Sequence, residues 1–123
     1  MPVEVTFEKP ALFFMRAFAM VAVEEVARAI AGILADPRLV AGVALLIDNR
    51  EVTSRRSVAE VAVITSEFAK LFARGVTRVA VVTDRELEAS QVFASFSSTV
   101  GANVKVFREE VAAREWLSEP ARQ

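Results

Sequence analysis

The chain has 123 residues, of which 54% are hydrophobic and 25% are charged, and its formal net charge is −1. This length fits one domain with a buried core, and the composition excludes a disordered polypeptide. The nearly balanced charge argues against a nucleic-acid partner, because affinity for phosphate depends on many Lys and Arg side chains acting together.

The sequence contains no Cys, His or Tyr. A disulfide framework and a thiolate metal site are therefore excluded. The commonest general base at neutral pH and the commonest metal ligand are also missing. We therefore expect a protein that is not an enzyme and that uses no metal or cofactor.

An apolar segment, residues 11–33, has the length of a membrane span but is interrupted by Arg16, Glu24, Glu25 and Arg28. Charges at the centre of a spanning helix are costly in lipid, so no transmembrane segment is expected. The first residues also lack the basic region, apolar core and small-residue cleavage site of a signal peptide. We expect a cytoplasmic protein.

The first third of the chain predicts a hairpin followed by a helix. Residues 3–7 alternate apolar and polar side chains, which indicates a strand with one solvent-facing side. A turn at Lys9 and Pro10 leads to a second strand over residues 11–18. From Val23 the apolar residues recur every three or four positions, which is typical of an amphipathic helix, and Asp36 and Pro37 end it.

The middle of the chain repeats a strand and helix pattern. Residues 43–47 are apolar on both faces, as in a strand covered by helices on two sides. A helical stripe follows, and Gly75 is placed to end that helix in a left-handed conformation. Residues 78–84 form a second buried strand that stops on polar residues. The stripe consists of Val61, Ile64, Phe68, Leu71 and Phe72.

The last third predicts another helix, an edge strand and a short final helix. Ala89, Phe93, Phe96 and Val100 lie on one helical face that ends at Gly101. Residues 103–107 alternate like an edge strand, and the last helix ends at Pro120.

Strands separated by helices need crossover connections, which make neighbouring strands parallel and place helices against the sheet. We therefore predict a single α/β domain over residues 1–123, with residues 118–123 as a flexible tail. The predicted sheet is mixed but mostly parallel, with about five strands and about four helices.

This order resembles the STAS fold of bacterial anti-sigma-factor antagonists. More narrowly, residues 104–117 are similar to the SpoIIAA-like family, whose V-x-V-F strand precedes a helix closing on A-x-x-W-L. The resemblance spans residues 1–117, and its motifs specify structure rather than a reaction. The matching residues are Val104, Val106, Phe107, Ala113, Trp116 and Leu117.

The resemblance implies a regulatory or interaction module. STAS domains mostly bind a partner or a small ligand, and some switch when a Ser or Thr at the start of the second helix is phosphorylated. In those members an Asp at the strand end leads directly into a D-S-[ST]-G turn. Here Asp48 fits the strand end, but Asn49 follows and no such turn occurs.

The predicted loop from Asp48 to Ser57 has three interpretations. The sequence SVAE is a capping box in which Ser57 and Glu60 satisfy each other's backbone amides, and this alone accounts for both residues in a solvated loop. The same helix start, with arginines nearby, would also suit a bound anion or a partner. Covalent phosphorylation is the third interpretation. The other polar residues of this candidate site are Arg50, Thr53, Ser54, Arg55 and Arg56.

A second polar strand end extends the candidate site. Thr83 and Asp84 follow the strand at residues 78–82, and the ends of adjacent parallel strands line one crevice. We therefore expect Asp48, Arg50, Thr83 and Asp84 to share one rim of the sheet.

Aromatic residues indicate a second, apolar candidate surface. Most of the nine Phe residues occupy positions typical of a core. Phe13 and Phe14 are adjacent, so in a strand they point to opposite faces. Val92, Phe93 and Phe96 give the third predicted helix a wide apolar arc that suits a dimer contact, the lid of a ligand pocket or a membrane-facing surface.

The sequence thus favours a non-enzymatic STAS-like regulatory or interaction module that forms a homodimer and contacts a regulatory protein partner or an anion near Asp48. The alternative, which the resemblance to SpoIIAA-like proteins implies, is binding of an apolar small molecule or lipid, or peripheral membrane association.

Overall fold

Strands and helices follow one another in the predicted order in this computed structural model, which describes residues 3–8, 11–19, 22–52, 57–76, 78–83 and 103–119. The third predicted helix, residues 89–100, lies outside the described residues. The strands are β1 (Val3–Glu8), β2 (Leu12–Ala19), β3 (Ala44–Val52), β4 (Arg78–Val82) and β5 (Asn103–Phe107). The helices in the described part are α1 (Val23–Ala35), α2 (Val58–Ala73) and α3 (Glu110–Ser118).

The five strands form one sheet in the order β1-β2-β3-β4-β5. The hairpin of β1 and β2 is antiparallel, and each of the other three pairs is parallel. The prediction of a mixed, mostly parallel sheet is therefore confirmed, as is the position of β5 at an edge. The helix that follows β2 and the helix that follows β3 serve as crossovers between parallel strands.

Helices cover both faces of the sheet, which explains why β3 and β4 are apolar on both sides. Phe13, Leu45 and Val79 belong to a buried cluster that includes residues of α1 and α2. Leu46 and Ala80, one position further along their strands, belong to a second cluster that includes residues of α3. None of the helices in the described part of the chain is long and apolar enough to cross a membrane.

The third strand is longer than predicted. We expected a strand over residues 43–47 followed by a loop from Asp48, but β3 continues to Val52. The reason is pairing with β2: Phe18 lies opposite Glu51 and Ala19 opposite Val52, after a register shift that follows Arg16. Partner hydrogen bonds keep this polar segment extended, although its composition is typical of a loop. Asp48 and Arg50 are consequently strand residues.

Local signals at the two ends of α2 are confirmed. At its start, Ser57 Oγ accepts from the Glu60 N–H at 3.1 Å, and Glu60 Oε1 accepts from the Ser57 N–H at 3.0 Å. After its end, Gly75 has a φ of +107°, the left-handed conformation that glycine adopts most readily. Capping and helix termination are therefore encoded locally in this segment.

Candidate functional site

Polar residues of neighbouring strands lie side by side where β4 ends. Asp48 on β3 lies opposite Arg16 on β2 and opposite Val82 on β4. Thr83 directly follows Val82, and its N–H donates to the Phe107 carbonyl at 2.9 Å. The prediction that Asp48 and Thr83 share one rim is therefore confirmed. Thr83 is only 1% exposed, so its side chain offers almost no surface to a ligand.

Asp48 is a buried carboxylate held by Arg50. Arg50 Nε donates to Oδ1 at 3.0 Å and Nη2 donates to Oδ2 at 2.8 Å, and the backbone N–H of Arg50 donates to Oδ1 at 3.1 Å. Burial alone would raise the pKa of Asp48, but the bonds from Arg50 outweigh it, and the pKa lies below its ordinary value. The same pairing raises the pKa of Arg50. Both groups are therefore charged at neutral pH.

The helix α3 connects this pair to the opposite edge strand. Glu110 Oε1 accepts from Arg50 Nη2 at 3.0 Å, and Glu110 Oε2 accepts from Arg114 Nε at 2.6 Å. Arg114 in turn donates to both carboxylate oxygens of Glu8, at 2.8 and 3.0 Å. These bonds lower the pKa of Glu8 and raise that of Arg114. An unbroken chain of ion pairs thus joins β1, α3 and β3.

An open depression of about 480 Å³ lies beside this chain of ion pairs, and we call it the charged groove. Arg16 and Glu51 form a further ion pair there, and both side chains are about half exposed. Arg114 stacks over the Phe14 ring at 5.2 Å, on the same face of the sheet. The residues that line the charged groove are Phe14, Arg16, Asp48, Arg50, Glu51 and Glu110.

The charged groove contains three carboxylates and two guanidinium groups, and both guanidinium groups are already bonded to carboxylates. It can therefore pair with several charges of a partner at fixed positions. A lone anion would have to compete with these carboxylates for Arg16 or Arg50. No group of three or more acidic side chains that could hold a metal ion occurs in the described ranges.

Of the remaining residues of the predicted site, one caps a helix and five lie outside the described residues. Ser57 serves as the cap of α2, as its capping-box interpretation predicts. The structure does not describe five of the others. These are Thr53, Ser54, Arg55, Arg56 and Asp84.

The prediction that Phe13 and Phe14 point to opposite faces of the sheet is confirmed, whereas their proposed role in a ligand or dimer surface stays a prediction. Phe13 is 2% exposed and belongs to the cluster beneath α1 and α2, whereas Phe14 packs on the opposite face in the cluster beneath α3. Phe13 is thus a core residue, and Phe14 lines the charged groove. Val92, Phe93 and Phe96 lie outside the described residues.

Sequence reasoning missed five residues of this region, although two of them carry a readable signal. Glu110 and Arg114 are four positions apart on a helix, which is the spacing of an ion pair. The remaining three come from β1, β2 and the extension of β3, and nothing in the local sequence connects them. They are Glu8, Arg16 and Glu51.

Comparison with known proteins gives one family and one fold. The model of the SpoIIAA-like family matches residues 12–118. A crystal structure of an uncharacterised protein from Shewanella loihica with a SpoIIAA-like fold superimposes with a TM-score of 0.63 and 19% sequence identity. The match covers 94% of this chain and 91% of that chain, and at this identity it shows the fold alone. A search of curated proteins gave no match.

Proposed function

This chain belongs to the SpoIIAA-like family, and from that premise we propose that it is a non-enzymatic interaction module whose charged groove contacts a regulatory protein partner. The proposal includes a homodimer that acts in the cytoplasm. It rests on one observation above all: charged side chains from three elements hold one another in place beside an open depression.

Mutual bonding gives this surface a fixed pattern of charge. Arg50 and Arg114 each bond two carboxylates, so neither side chain is free to reorient as an isolated surface arginine would be. Arranged charges of this kind contribute to a protein interface mainly by selecting the partner and by speeding association. A preformed pattern also reduces the entropy that is lost when side chains are ordered on binding.

The charge balance of the groove favours a protein over a free anion. A protein partner can present acidic and basic groups together and can match both signs across a wide contact. A phosphate or carboxylate would meet Arg16 and Arg50 only by displacing Glu51, Asp48 or Glu110. The carboxylate excess among the lining residues makes that exchange unfavourable.

The electrostatics of Asp48 also support a non-enzymatic role. A general acid or base works best when its pKa lies near the working pH. The pKa of Asp48 is instead lowered, since the bonds from Arg50 outweigh the effect of burial. A carboxylate in this state stays ionised and holds Arg50 in position.

Site-specific photocrosslinking tests the contact surface. Val111 lies next to Glu110 on α3 and is 67% exposed, and Val63 on α2 is 50% exposed. With a photoreactive amino acid at position 111, we expect a discrete crosslinked product in host cells. The same amino acid at position 63, on the helix that packs on the other face of the sheet, serves as the matched control.

Charge reversal at Glu51 then tests the groove itself. Glu51 is exposed, so Glu51→Lys should leave the fold intact while it removes the crosslink from position 111. A product that persists at full intensity in this variant, or that forms equally from position 63, would contradict the proposal.

Native mass spectrometry of freshly purified protein tests the homodimer and the ligand class together. We expect a dimer without a retained small molecule. A co-purifying acyl chain would instead support the alternative, a carrier of an apolar or lipid ligand. A strict monomer would contradict the homodimer.

A further inference from the structure

The outer edge of β1 is a second surface with its own recognition chemistry. In the order β1-β2-β3-β4-β5, β1 is paired on one side by β2, and in the described part of the chain no strand pairs with its other side. The outward N–H and C=O groups of an edge strand can bond to an added strand. This edge is six residues long, which is the length of an ordinary strand.

An apolar depression lies directly above this edge, between β1 and α1, and we call it the edge groove. Its volume is about 310 Å³, and its apolar lining consists of Val3, Val5, Phe13, Ala29, Gly32 and Ile33. Val5 is 36% exposed although it points to the side of the sheet that α1 covers. The side chain of Val5 on this edge strand therefore stays partly exposed, whereas Leu45 on β3 and Val79 on β4, the central strands, are buried.

The edge groove is closed at one end and has free space in its middle. Near Asp36, Phe7 packs edge-on against Phe13 with ring centroids 5.0 Å apart, and Arg38 stacks over Phe7 at 4.6 Å. These contacts close that end. In the middle, a Cβ atom built on Gly32 would meet nothing within 4 Å, so the groove has room for an added side chain.

We propose that an extended segment of a partner protein pairs with the outer edge of β1 and inserts alternate apolar side chains into the edge groove. In this mode of recognition, main-chain hydrogen bonds to the edge strand supply affinity, and pockets for every second side chain supply specificity. An added strand lies about 4.8 Å from its neighbour, and its side chains alternate between the two faces of the sheet. Val3 and Val5 would then contact its inward side chains.

Charge complementarity indicates that this segment is basic. Glu4 is exposed on β1 and lies opposite Arg16, but the Arg16 guanidinium is held by Glu51. The rim of the edge groove also carries Glu25 and Arg28, which have opposite charges, and Asp36, whose carboxylate is held by Arg38. Glu4 is therefore the residue that gives this edge its acidic character. A Lys or Arg on the outward face of the added strand would form a favourable cross-strand pair with Glu4.

A second copy of this chain does not satisfy the same chemistry. The face of β1 that points away from α1 carries Glu4, Thr6 and Glu8, and Glu8 is paired with Arg114 of α3. In every antiparallel register of two β1 strands that keeps Val3 and Val5 of both strands on the groove side, a carboxylate of one strand lies directly or diagonally opposite a carboxylate of the other. Like charges in these positions are destabilising. The occupant that we infer is therefore a basic and apolar segment of another protein.

A peptide of four Lys-Val repeats with blocked ends is the probe for this proposal. We expect its addition to shift the backbone amide NMR signals of β1 and of the groove side of α1, and to slow hydrogen exchange along β1. A peptide of four Glu-Val repeats has the same apolar side chains and opposite charge. The Glu-Val peptide should bind about fivefold more weakly than the Lys-Val peptide.

Two matched variants test whether the side chains of the bound peptide occupy the edge groove. Gly32→Leu fills the edge groove and should weaken binding of the Lys-Val peptide at least tenfold. Ala31→Leu places the same side chain at an exposed neighbouring position outside the groove and should leave binding unchanged. Unfolding curves for both variants would show that the fold is intact.

The proposal is overturned if the Lys-Val peptide does not bind, if it shifts signals elsewhere, or if Gly32→Leu binds as well as Ala31→Leu. Shifts of β1 that depend on protein concentration without peptide would identify a second copy as the occupant and would also overturn it. Arg50→Lys changes the charged groove at a residue that is paired with Asp48 and Glu110 and not with Glu4 or Arg16, so this variant should bind the peptide normally. Failure here leaves the proposed function of the charged groove unaffected.

Discussion

Arg50 encloses the Asp48 carboxylate with both its side chain and its backbone. Nε and Nη2 donate to the two carboxylate oxygens at 3.0 and 2.8 Å, and the backbone N–H adds a bond of 3.1 Å. Asp48 is only 5% exposed, so these bonds replace the water that would otherwise solvate its charge.

Removal of the Arg50 side chain should therefore destabilise the fold. We expect Arg50→Ala to lower the free energy of unfolding by about 2 to 3 kcal/mol, because it leaves a buried carboxylate without its partner. Urea unfolding at pH 7 measures this change. Arg50→Lys should recover part of the loss, since Lys keeps the charge but cannot form the two-pronged contact.

The double variant Asp48→Asn with Arg50→Ala provides the control. It removes the buried charge together with its partner, so it should cost less than the sum of the two single changes. Additive losses would show that Asp48 and Arg50 stabilise the protein independently and would contradict this interpretation.

The free energy of unfolding should decrease as the pH falls, over a pH range that is set by the lowered pKa values of the carboxyl groups. The side chain and backbone N–H of Arg38 lower the pKa of Asp36 from 3.8 to about 2. As the pH falls, the unfolded chain binds this proton before the folded chain does. The stabilising contribution is therefore complete above about pH 4 and is lost between about pH 4 and pH 2. Asp48 and Glu8, whose pKa values are also lowered, act in the same direction.

Urea unfolding at a series of pH values from 7 to 3 measures this dependence. The free energy of unfolding should decrease below about pH 4. Arg38→Gln should make the decrease shallower, because the pKa of Asp36 then returns toward its ordinary value. An unchanged slope in this variant would show that the Arg38 contact does not control the protonation of Asp36.

Loss of the α2 cap should have a moderate cost. Ser57→Ala removes the hydroxyl that accepts from the Glu60 N–H, and we expect it to lower the free energy of unfolding by about 1 kcal/mol. Ser66→Ala, at an exposed position within the same helix, is the matched control and should be neutral or slightly stabilising. If Ser57→Ala keeps full stability but loses partner binding, Ser57 contacts the partner and the capping interpretation is wrong.

Two glycine substitutions should have opposite effects. At Gly75, an alanine would have to adopt a φ of +107° and would bring its Cβ atom to 2.5 Å from the Ala41 Cα atom. We expect Gly75→Ala to destabilise the protein by about 2 kcal/mol or more. Gly32→Ala places its Cβ atom in open space on a helix and should stabilise it by about 0.5 to 1 kcal/mol.

Thermal unfolding of these two variants tests the glycine prediction. The expected result is a lower midpoint for Gly75→Ala and a higher midpoint for Gly32→Ala. A stable Gly75→Ala protein would show that the turn after α2 and its contact with Ala41 can rearrange at little cost.

The sequence by itself determined the order of the described elements and the fold class. Apolar periodicity distinguished strands from helices, and the pattern around Ser57 located the start of α2. Gly75 marked the end of that helix. These features depend on a residue and its near neighbours, so they can be read without knowledge of what packs beside them. The common edge of Asp48 and Thr83 also followed, because parallel strands bring their carboxyl ends together.

The tertiary structure decided where β3 ends and which charges meet. Pairing with β2 keeps residues 48–52 in a strand, although their polar composition predicts a loop. The contact of Arg114 with Glu8 joins residues 106 positions apart, and that of Arg50 with Glu110 joins residues 60 positions apart. No local pattern encodes these contacts, because they exist only once strand order and register have brought β1, β3 and α3 together.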